Sequence, residues 1–304
     1  MCSYDFPDPA AVFADGVFHA YGGSMTMHSP DLRRWSQRPH YLAHAPAWAA
    51  EGSEGGAPSP PVRLASGVWV IYFQANPRGC ESPPCGCIGS ARAASAGGPF
   101  APAPEAVVCM PQERGLVDGS ARRLALGGSG ELSTVLYFKS TGFNTLARPA
   151  RLWAAVLSDD GTRVAQAPLN LLNQTSTWEA RNGIGCIEAP ALYSHADGRH
   201  TLFYSGGDWT AGLDGLPYSI GYASCLSPLG PCHKRTQDRP WFGPVYNNSV
   251  GVGGQEIFHD GDGVPWMVFH AWQKGRAGYQ HGGQRTVRFY PLRELEAIAG
   301  PLRR

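Results

Sequence analysis

Charge is scarce in this chain. Of its 304 residues only 16% are Asp, Glu, Lys or Arg, and 25 basic residues stand against 24 acidic ones. Without a basic field there is nothing to gather nucleic acid or an anionic membrane surface, and neither is expected as a partner. Long apolar runs are missing too: no stretch approaches the roughly 20 residues that cross a bilayer. Met1-Cys2-Ser3-Tyr4-Asp5 has neither the basic nor the apolar segment of a secretory leader. The Gly-rich run at 127–130 is not followed by Lys and Ser or Thr, which removes a phosphate-binding loop. No Gly-x-Ser-x-Gly stands in a strand–turn–helix setting for a serine nucleophile. Cys-x2-Cys pairs with His partners at zinc spacing are absent. Helical pattern is confined to a terminal turn at 292–298.

Turn formers and aromatics are plentiful: 39 Gly, 26 Pro and 11% aromatic residues. This balance predicts an all-β protein of short strands. The eight cysteines include Cys80, Cys85 and Cys87 in one Pro/Gly-rich loop, and Cys225 and Cys232 around another. Both read as loops stapled by disulfides, which favours a secreted protein whose leader has been removed. Asn173 and Asn247 open glycosylation sequons.

The chain repeats itself. Aromatic-rich strands at 17–21, 68–73, 134–138, 201–204 and 266–270 carry Tyr21, Tyr72, Tyr137, Tyr204 and Phe269 at matching positions, 51, 65, 67 and 65 residues apart. Four of them closely follow a turn: Asp15-Gly16, Ser66-Gly67, Asp197-Gly198 and Asp262-Gly263. The third follows the looser Gly127-Gly128-Ser129-Gly130. Each is followed by another strand, and several of those by a turn opened by Ser29, Ser95, Ser158 or Ser227. The interval is that of one four-stranded sheet with its loops. Five such sheets around an axis make a five-bladed β-propeller, read here as one domain over residues 1–304. A large sandwich does not predict the repeat.

Acids fall at one phase of it. Asp8, Asp118 and Glu188 lie 13, 19 and 16 residues before their anchors, and Ser59 and the Gln255-Glu256 pair take the matching places in blades two and five. Glu188 heads an apolar strand, where a carboxylate costs free energy unless it is paired or used. Inner strands of a propeller converge on the axis, so three carboxylates from blades one, three and four are expected in one pocket. Glycoside hydrolysis needs such a set: one acid protonates the leaving oxygen and a second carboxylate activates water or attacks. A third negative group raises the pKa of the acid.

The ordered series Phe6-Pro7-Asp8-Pro9, Ala57-Pro58-Ser59, Gly115-Leu116-Val117-Asp118, Ile187-Glu188-Ala189-Pro190, Gly251-Val252-Gly253-Gly254-Gln255 and Phe269-His270-Ala271-Trp272 resembles glycoside hydrolase family 43 over nearly the whole chain. The resemblance implies a five-bladed propeller that acts with inversion on arabinose- and xylose-containing carbohydrates. It implies Asp8 as general base (Asp5 is the runner-up), Glu188 as general acid and Asp118 as the residue that tunes and orients the acid. His270 resembles a histidine that holds a central metal or water. Cys87 with Cys109, and Cys225 with Cys232, resemble paired cysteines of secreted members. Departures are Gly56 where a stacking Trp is common and Gln255 where a His is common, so a central calcium is possible but not favoured and no cofactor is expected. Arg122 and Arg123 follow Asp118, either to pair with it or to point outward.

Substrate contacts are expected from Trp209, His270, Arg285 and Ser59. Among the other tryptophans, Trp69 and Trp266 read as core, Trp35 as a blade-edge contact, and Trp48 and Trp178 as loop residues packed on their own blades. The expected partner is a carbohydrate and the expected state a monomer. An arabinofuranosidase or arabinanase is the first reading. The alternatives are a β-xylosidase, a catalytically silent glycan-binding propeller and a retaining enzyme acting on fructosides.

Overall fold

Five antiparallel sheets follow one another along the chain in the computed structural model, which describes residues 4–53, 55–80, 84–127, 130–142, 149–210 and 215–302. Blade one is β1 (Ala10–Ala14), β2 (Val17–Gly22), β3 (Met25–Ser29) and β4 (Ser36–Arg38). Blade two is β5 (Val62–Arg63), β6 (Trp69–Ala75), β7 (Cys87–Ala93) and β8 (Ala101–Pro102), with β9 (Val108–Cys109) also on β7. Blade three is β10 (Leu116–Ala125), β11 (Leu132–Ser140), β12 (Arg151–Val156) and β13 (Leu169–Asn173). Blade four is β14 (Ala180–Arg181), β15 (Ile184–Ser194), β16 (His200–Gly207), β17 (Ser219–Cys225) and β18 (Cys232–Lys234). Blade five is β19 (Val245–Tyr246), β20 (Ser249–His259), β21 (Pro265–Gln273) and β22 (Arg285–Pro291), followed by α1 (Leu292–Ala299). The predicted five-bladed propeller is what forms. The looser turn before β11 includes Gly128 and Ser129, which lie outside the described residues, as does Cys2.

The repeat has a physical cause. Tyr21, Tyr72, Tyr137, Tyr204 and Phe269 sit in β2, β6, β11, β16 and β21, and all five are fully buried. A buried phenol needs an acceptor. The first three find one in the β-turn of the following blade: Tyr21 donates to the Ala96 carbonyl, Tyr72 to that of Gly161 at 3.0 Å and Tyr137 to that of Pro228 at 2.8 Å. Those acceptors lie in the very turns whose composition recurs in the sequence. Gly161 is required there, because a side chain at its Cα would meet the Tyr72 hydroxyl at 2.6 Å. Tyr204 breaks the pattern and bonds within its own blade, to Glu179 at 2.9 Å.

The ring closes between blades five and one. The Phe6 N–H donates to the Arg285 carbonyl at 2.7 Å, and the Arg285 N–H donates to Asp5 Oδ1 at 2.7 Å. Trp35 stacks on Phe289 with centroids 4.9 Å apart, so the predicted blade-edge tryptophan is a seam contact. The short C-terminal helix α1 buries Leu292 and Leu295 against the same blade. Disulfides join Cys80 to Cys85, Cys87 to Cys109 and Cys225 to Cys232. Cys186 is free and buried.

Candidate active site

One residue in each blade turns the backbone left-handed just where the inner strand reaches the axis. These are Asp8 (φ 48°), Ala57 (φ 38°), Asp118 (φ 57°), Ala189 (φ 50°) and Gly254 (φ 60°). In β10, β15 and β20 the register slips across this residue, which marks a β-bulge. Positive φ in four non-glycine residues is strain, and it is concentrated here around one narrow pocket. The pocket is lined by these five residues, by the residues that follow each of them, and by Glu256. Three of the followers are Pro9, Pro58 and Pro190, which have no N–H to leave unpaired in a bulge.

The bulges also correct the sequence alignment. Ala57, not Ser59, is the blade-two equivalent of Asp8 and Asp118. Ser59 is fully buried; its hydroxyl donates to the Pro60 carbonyl at 3.0 Å and accepts the Tyr72 N–H at 3.0 Å, which occupies it in the backbone. Glu188 stands one residue ahead of its own left-handed position, and this offset turns its longer side chain towards blade three.

Each carboxylate has its own environment. Asp8 donates its N–H to His270 Nδ1 at 3.0 Å, and its Oδ2 lies 3.5 Å from an Arg285 guanidinium nitrogen. Loss of hydration pushes its pKa up, Arg285 pulls it back, and the charges of Glu188 and Asp5 push it up again. Asp118 donates its N–H to Gln74 Oε1 at 3.1 Å and accepts the Ala189 N–H on Oδ2 at 3.1 Å. Burial first, and the negative charge of Glu188 second, raise its pKa to about 7. Glu188 is held at both oxygens. Tyr218 donates to Oε1 at 2.7 Å, and Lys139 Nζ and the Cys186 thiol donate to Oε2 at 2.7 and 3.2 Å. Burial alone would raise the Glu188 pKa, but the Lys139 charge and these hydrogen bonds outweigh it, and the net direction is down.

The expectation that Asp118 holds the proton on Glu188 therefore meets a counterweight. The Lys139 charge favours the Glu188 anion, whereas burial and the charge of Glu188 favour the protonated form of Asp118. Nor does either arginine pair with Asp118. Past the bulge, Arg122 runs the other way along the axis. It bonds Glu256 at 2.5 Å and the carbonyls of Ala121, Leu192 and Ile257. Arg123 donates to Thr134 at 3.3 Å.

Of the predicted contact residues, Arg285 and Trp209 meet at the site. The Arg285 guanidinium lies 4.7 Å from the Trp209 ring centroid and 5.5 Å from that of Tyr279, and it reaches Asp8 from there. One face of Trp209 is thus already covered by an arginine. Asp5, the runner-up base, is taken by the Tyr279 hydroxyl and the Arg285 N–H. His270 is fully buried and stacks on Tyr218 with centroids 5.8 Å apart. Burial drives its pKa well below the usual imidazole value, so it is neutral, with Nδ1 accepting the Asp8 N–H and the proton left on Nε2, which has no partner among the described residues. Trp178 is core, donating to the Thr236 carbonyl, and Trp48 stacks on Phe73.

Three site residues went unseen in the sequence, Lys139, Tyr218 and Gln74, and the role of Gln255, which the phase had located, was not seen. Gln255 donates to the Ala189 carbonyl at 2.6 Å and accepts from Ser205, so it ties blade five to the peptide after Glu188. Tyr218 reaches Glu188 only because Gly253 is bare. A Cβ there would lie 2.1 Å from the Tyr218 ring. The one usable signal was Lys139, a cation closing an otherwise apolar strand.

The sequence model of Glycosyl hydrolases family 43 matches residues 4–292. The chain belongs to that family. It is accordingly a glycosidase, and solved structures agree with its fold. A thermostable family-43 glycoside hydrolase superposes with a TM-score of 0.75 at 20% identity, covering 94% of this chain and 89% of the other. An endo-1,4-beta-xylanase from Bacteroides thetaiotaomicron gives 0.69 at 21%, covering 95% and 90%. An alpha-L-arabinanase from Cellvibrio cellulosa, complexed with arabinohexaose, gives 0.70 at 17%, covering 96% and 97%. No protein of curated function matches the sequence.

A central calcium would take six to eight oxygen ligands. His270 Nδ1 is committed to the Asp8 N–H, and Gln255 is committed to Ala189 and Ser205. Among the described residues no group of three or more His, Cys, Asp and Glu is placed to hold a metal.

Proposed function

We propose that this glycosidase hydrolyses arabinofuranosyl or xylosyl linkages with inversion, foremost as an α-L-arabinofuranosidase or arabinanase. The observation that carries the reading is that Asp8 and Asp118 line one axial pocket, with Glu188 beside Ala189 of its wall and electrostatically coupled to both. Arabinanases and a xylanase among the structures of the same fold support the sugar class. The three disulfides fit action in an oxidising, extracellular compartment.

In this mechanism Asp8 takes the proton of the attacking water, with its carboxylate oriented by Arg285 and its backbone by His270. Glu188 gives a proton to the leaving sugar oxygen. Asp118 fixes the Ala189 peptide behind the acid and stores the proton while the pocket is empty. One proton distributed over three coupled carboxylates is what an acid–base pair needs.

The test is a screen on aryl α-L-arabinofuranosides, β-xylosides and galactosides, with the product anomer read by NMR and Glu188→Ala as control. Cleavage of a pentoside with inversion, lost in the variant, is expected. Cleavage unaffected by the substitution removes Glu188 from the mechanism, and retention of configuration removes Asp8 as the base. The Lys139–Glu188 ion pair favours a second reading, a silent glycan-binding propeller. That reading predicts arabino- or xylo-oligosaccharide binding by calorimetry with no turnover at any pH.

A further inference from the structure

Lys139 does not belong where it is on solvation grounds. It is the last residue but one of β11, its side chain is 8% exposed, and an ammonium out of water is costly unless a counter-charge is near. That counter-charge is Glu188, whose side chain is 12% exposed. The charges facing the pair can be counted element by element. Lys139 comes from β11 and Arg285 from β22, and the carboxylates are Asp8, Asp118 from β10 and Glu188 from β15. Asp5 also pushes up the Asp8 pKa, but it lies at the half-buried rim, bonded to the Arg285 N–H and the Tyr279 hydroxyl, and Glu256 is paired with Arg122 at 2.5 Å. The other titratable groups of the enclosed pocket are neutral. Burial holds the Cys186 thiol and the Tyr218 phenol protonated and keeps His270 unprotonated. Inside that rim three carboxylates face two cations, and this set, fully ionised, carries one excess negative charge.

A water-poor pocket resists that excess, and one bound proton removes it. We propose that Lys139 is a positioning residue of the reaction: its ammonium, 2.7 Å from Glu188 Oε2, sets at one the number of protons shared by the three carboxylates. This rests on the glycosidase reading, in which one acid and one ionised base must coexist. Without the cation the site favours two protons near neutrality, and the second falls on the base or on Asp118. The geometry supports a fixed rather than a wandering charge. Lys139 also donates to Cys186 Sγ at 3.4 Å, and Tyr218 holds the opposite oxygen of Glu188. The carboxylate plane is therefore pinned from two sides, with Lys139 on the blade-three side.

The experiment compares Lys139→Met and Lys139→Arg with the wild type in full pH profiles of kcat/KM on the best aryl pentoside. Both limbs of the Lys139→Met profile should move to higher pH by at least one unit, with at least a tenfold loss at the wild-type optimum. Lys139→Arg should keep the wild-type limbs within about half a unit. A lower profile with unmoved limbs, or an arginine variant that behaves like the methionine variant, overturns the proposal in favour of a packing role. The second measurement needs neither a variant nor turnover. In wild-type protein labelled at the Asp and Glu carboxyl carbons, NMR at pH 6 should show one of the three site carboxyls protonated and two ionised. None, two or three protonated overturns the proposal. Absence of activity on every glycoside defeats the glycosidase reading instead and leaves the proton count to be judged by the NMR titration.

Discussion

The Asp118 carboxylate accepts the Ala189 N–H at 3.1 Å, one residue past Glu188. The residue proposed to tune the acid thus also holds the peptide that follows it, and both Asp118 and Ala189 are left-handed.

This dual role separates stability from activity. The Asp118 pKa is raised to about 7 in the folded chain, against about 3.9 for an unperturbed Asp. Between those values the folded state binds more protons than the unfolded one, so this residue makes stability fall as pH rises through the window. Asp118→Asn keeps an acceptor and tolerates the left-handed backbone. It should melt above the wild type at pH 8, with the difference vanishing near pH 4, while kcat drops at least tenfold. Thermal scans across pH and initial rates check both halves.

Acid and base should part by leaving group. Glu188→Gln is expected to lose about 10²- to 10⁴-fold on substrates whose leaving oxygen needs a proton. It should lose far less on dinitrophenyl glycosides, whose leaving group departs unassisted. Asp8→Asn should lose activity on both kinds. Equal losses for Glu188→Gln on the two kinds would remove it as the acid.

Trp209 is expected to act through Arg285. Removing its ring exposes a guanidinium that it covers at 4.7 Å, an interaction of about 0.5–2 kcal/mol. Trp209→Ala should therefore lower kcat/KM about 2- to 30-fold, and should add little in an Arg285→Lys background. A double-mutant cycle measures the coupling.

Away from the site, Glu179 is fully buried and bonded to Tyr204, the N–H groups of Thr175 and Ser176, and Lys234 at 2.6 Å. Glu179→Ala leaves a buried lysine uncompensated and should cost about 3–5 kcal/mol by denaturant unfolding. Adding Lys234→Met should recover part of that loss.

The propeller was legible because each blade repeats an apolar strand with a buried aromatic anchor, which in the first three is a tyrosine received by a turn of the next blade. Asp8, Asp118 and Glu188 were legible because inner-strand ends share a phase. Lys139, Gln74 and Tyr218 were not, because they reach the pocket from second strands and loops of neighbouring blades, and no spacing along the chain encodes that approach. Ser59 was misplaced for a related reason. Each bulge inserts a residue that a count from the anchor cannot see, and two positions separate Ser59 from the left-handed Ala57. The arginines after Asp118 were indeterminate in sequence because the same bulge decides which way along the axis their side chains run.

The hand-over of tyrosine hydroxyls from blade to blade runs from one to four and then stops, since Tyr204 bonds at home and Phe269 has no hydroxyl. Among the described residues the seams from blade four to five and from five to one are joined without that latch: Gln255 ties the first to Ala189 and Ser205, and the Phe6–Arg285 backbone bond with Trp35 on Phe289 fastens the second. Arg285 is at once the clasp of the ring and a ligand of Asp8. Mild heating that loosens the clasp should silence the enzyme while most of its strands still protect their amides from exchange, making catalysis the most sensitive gauge of whether the circle is shut.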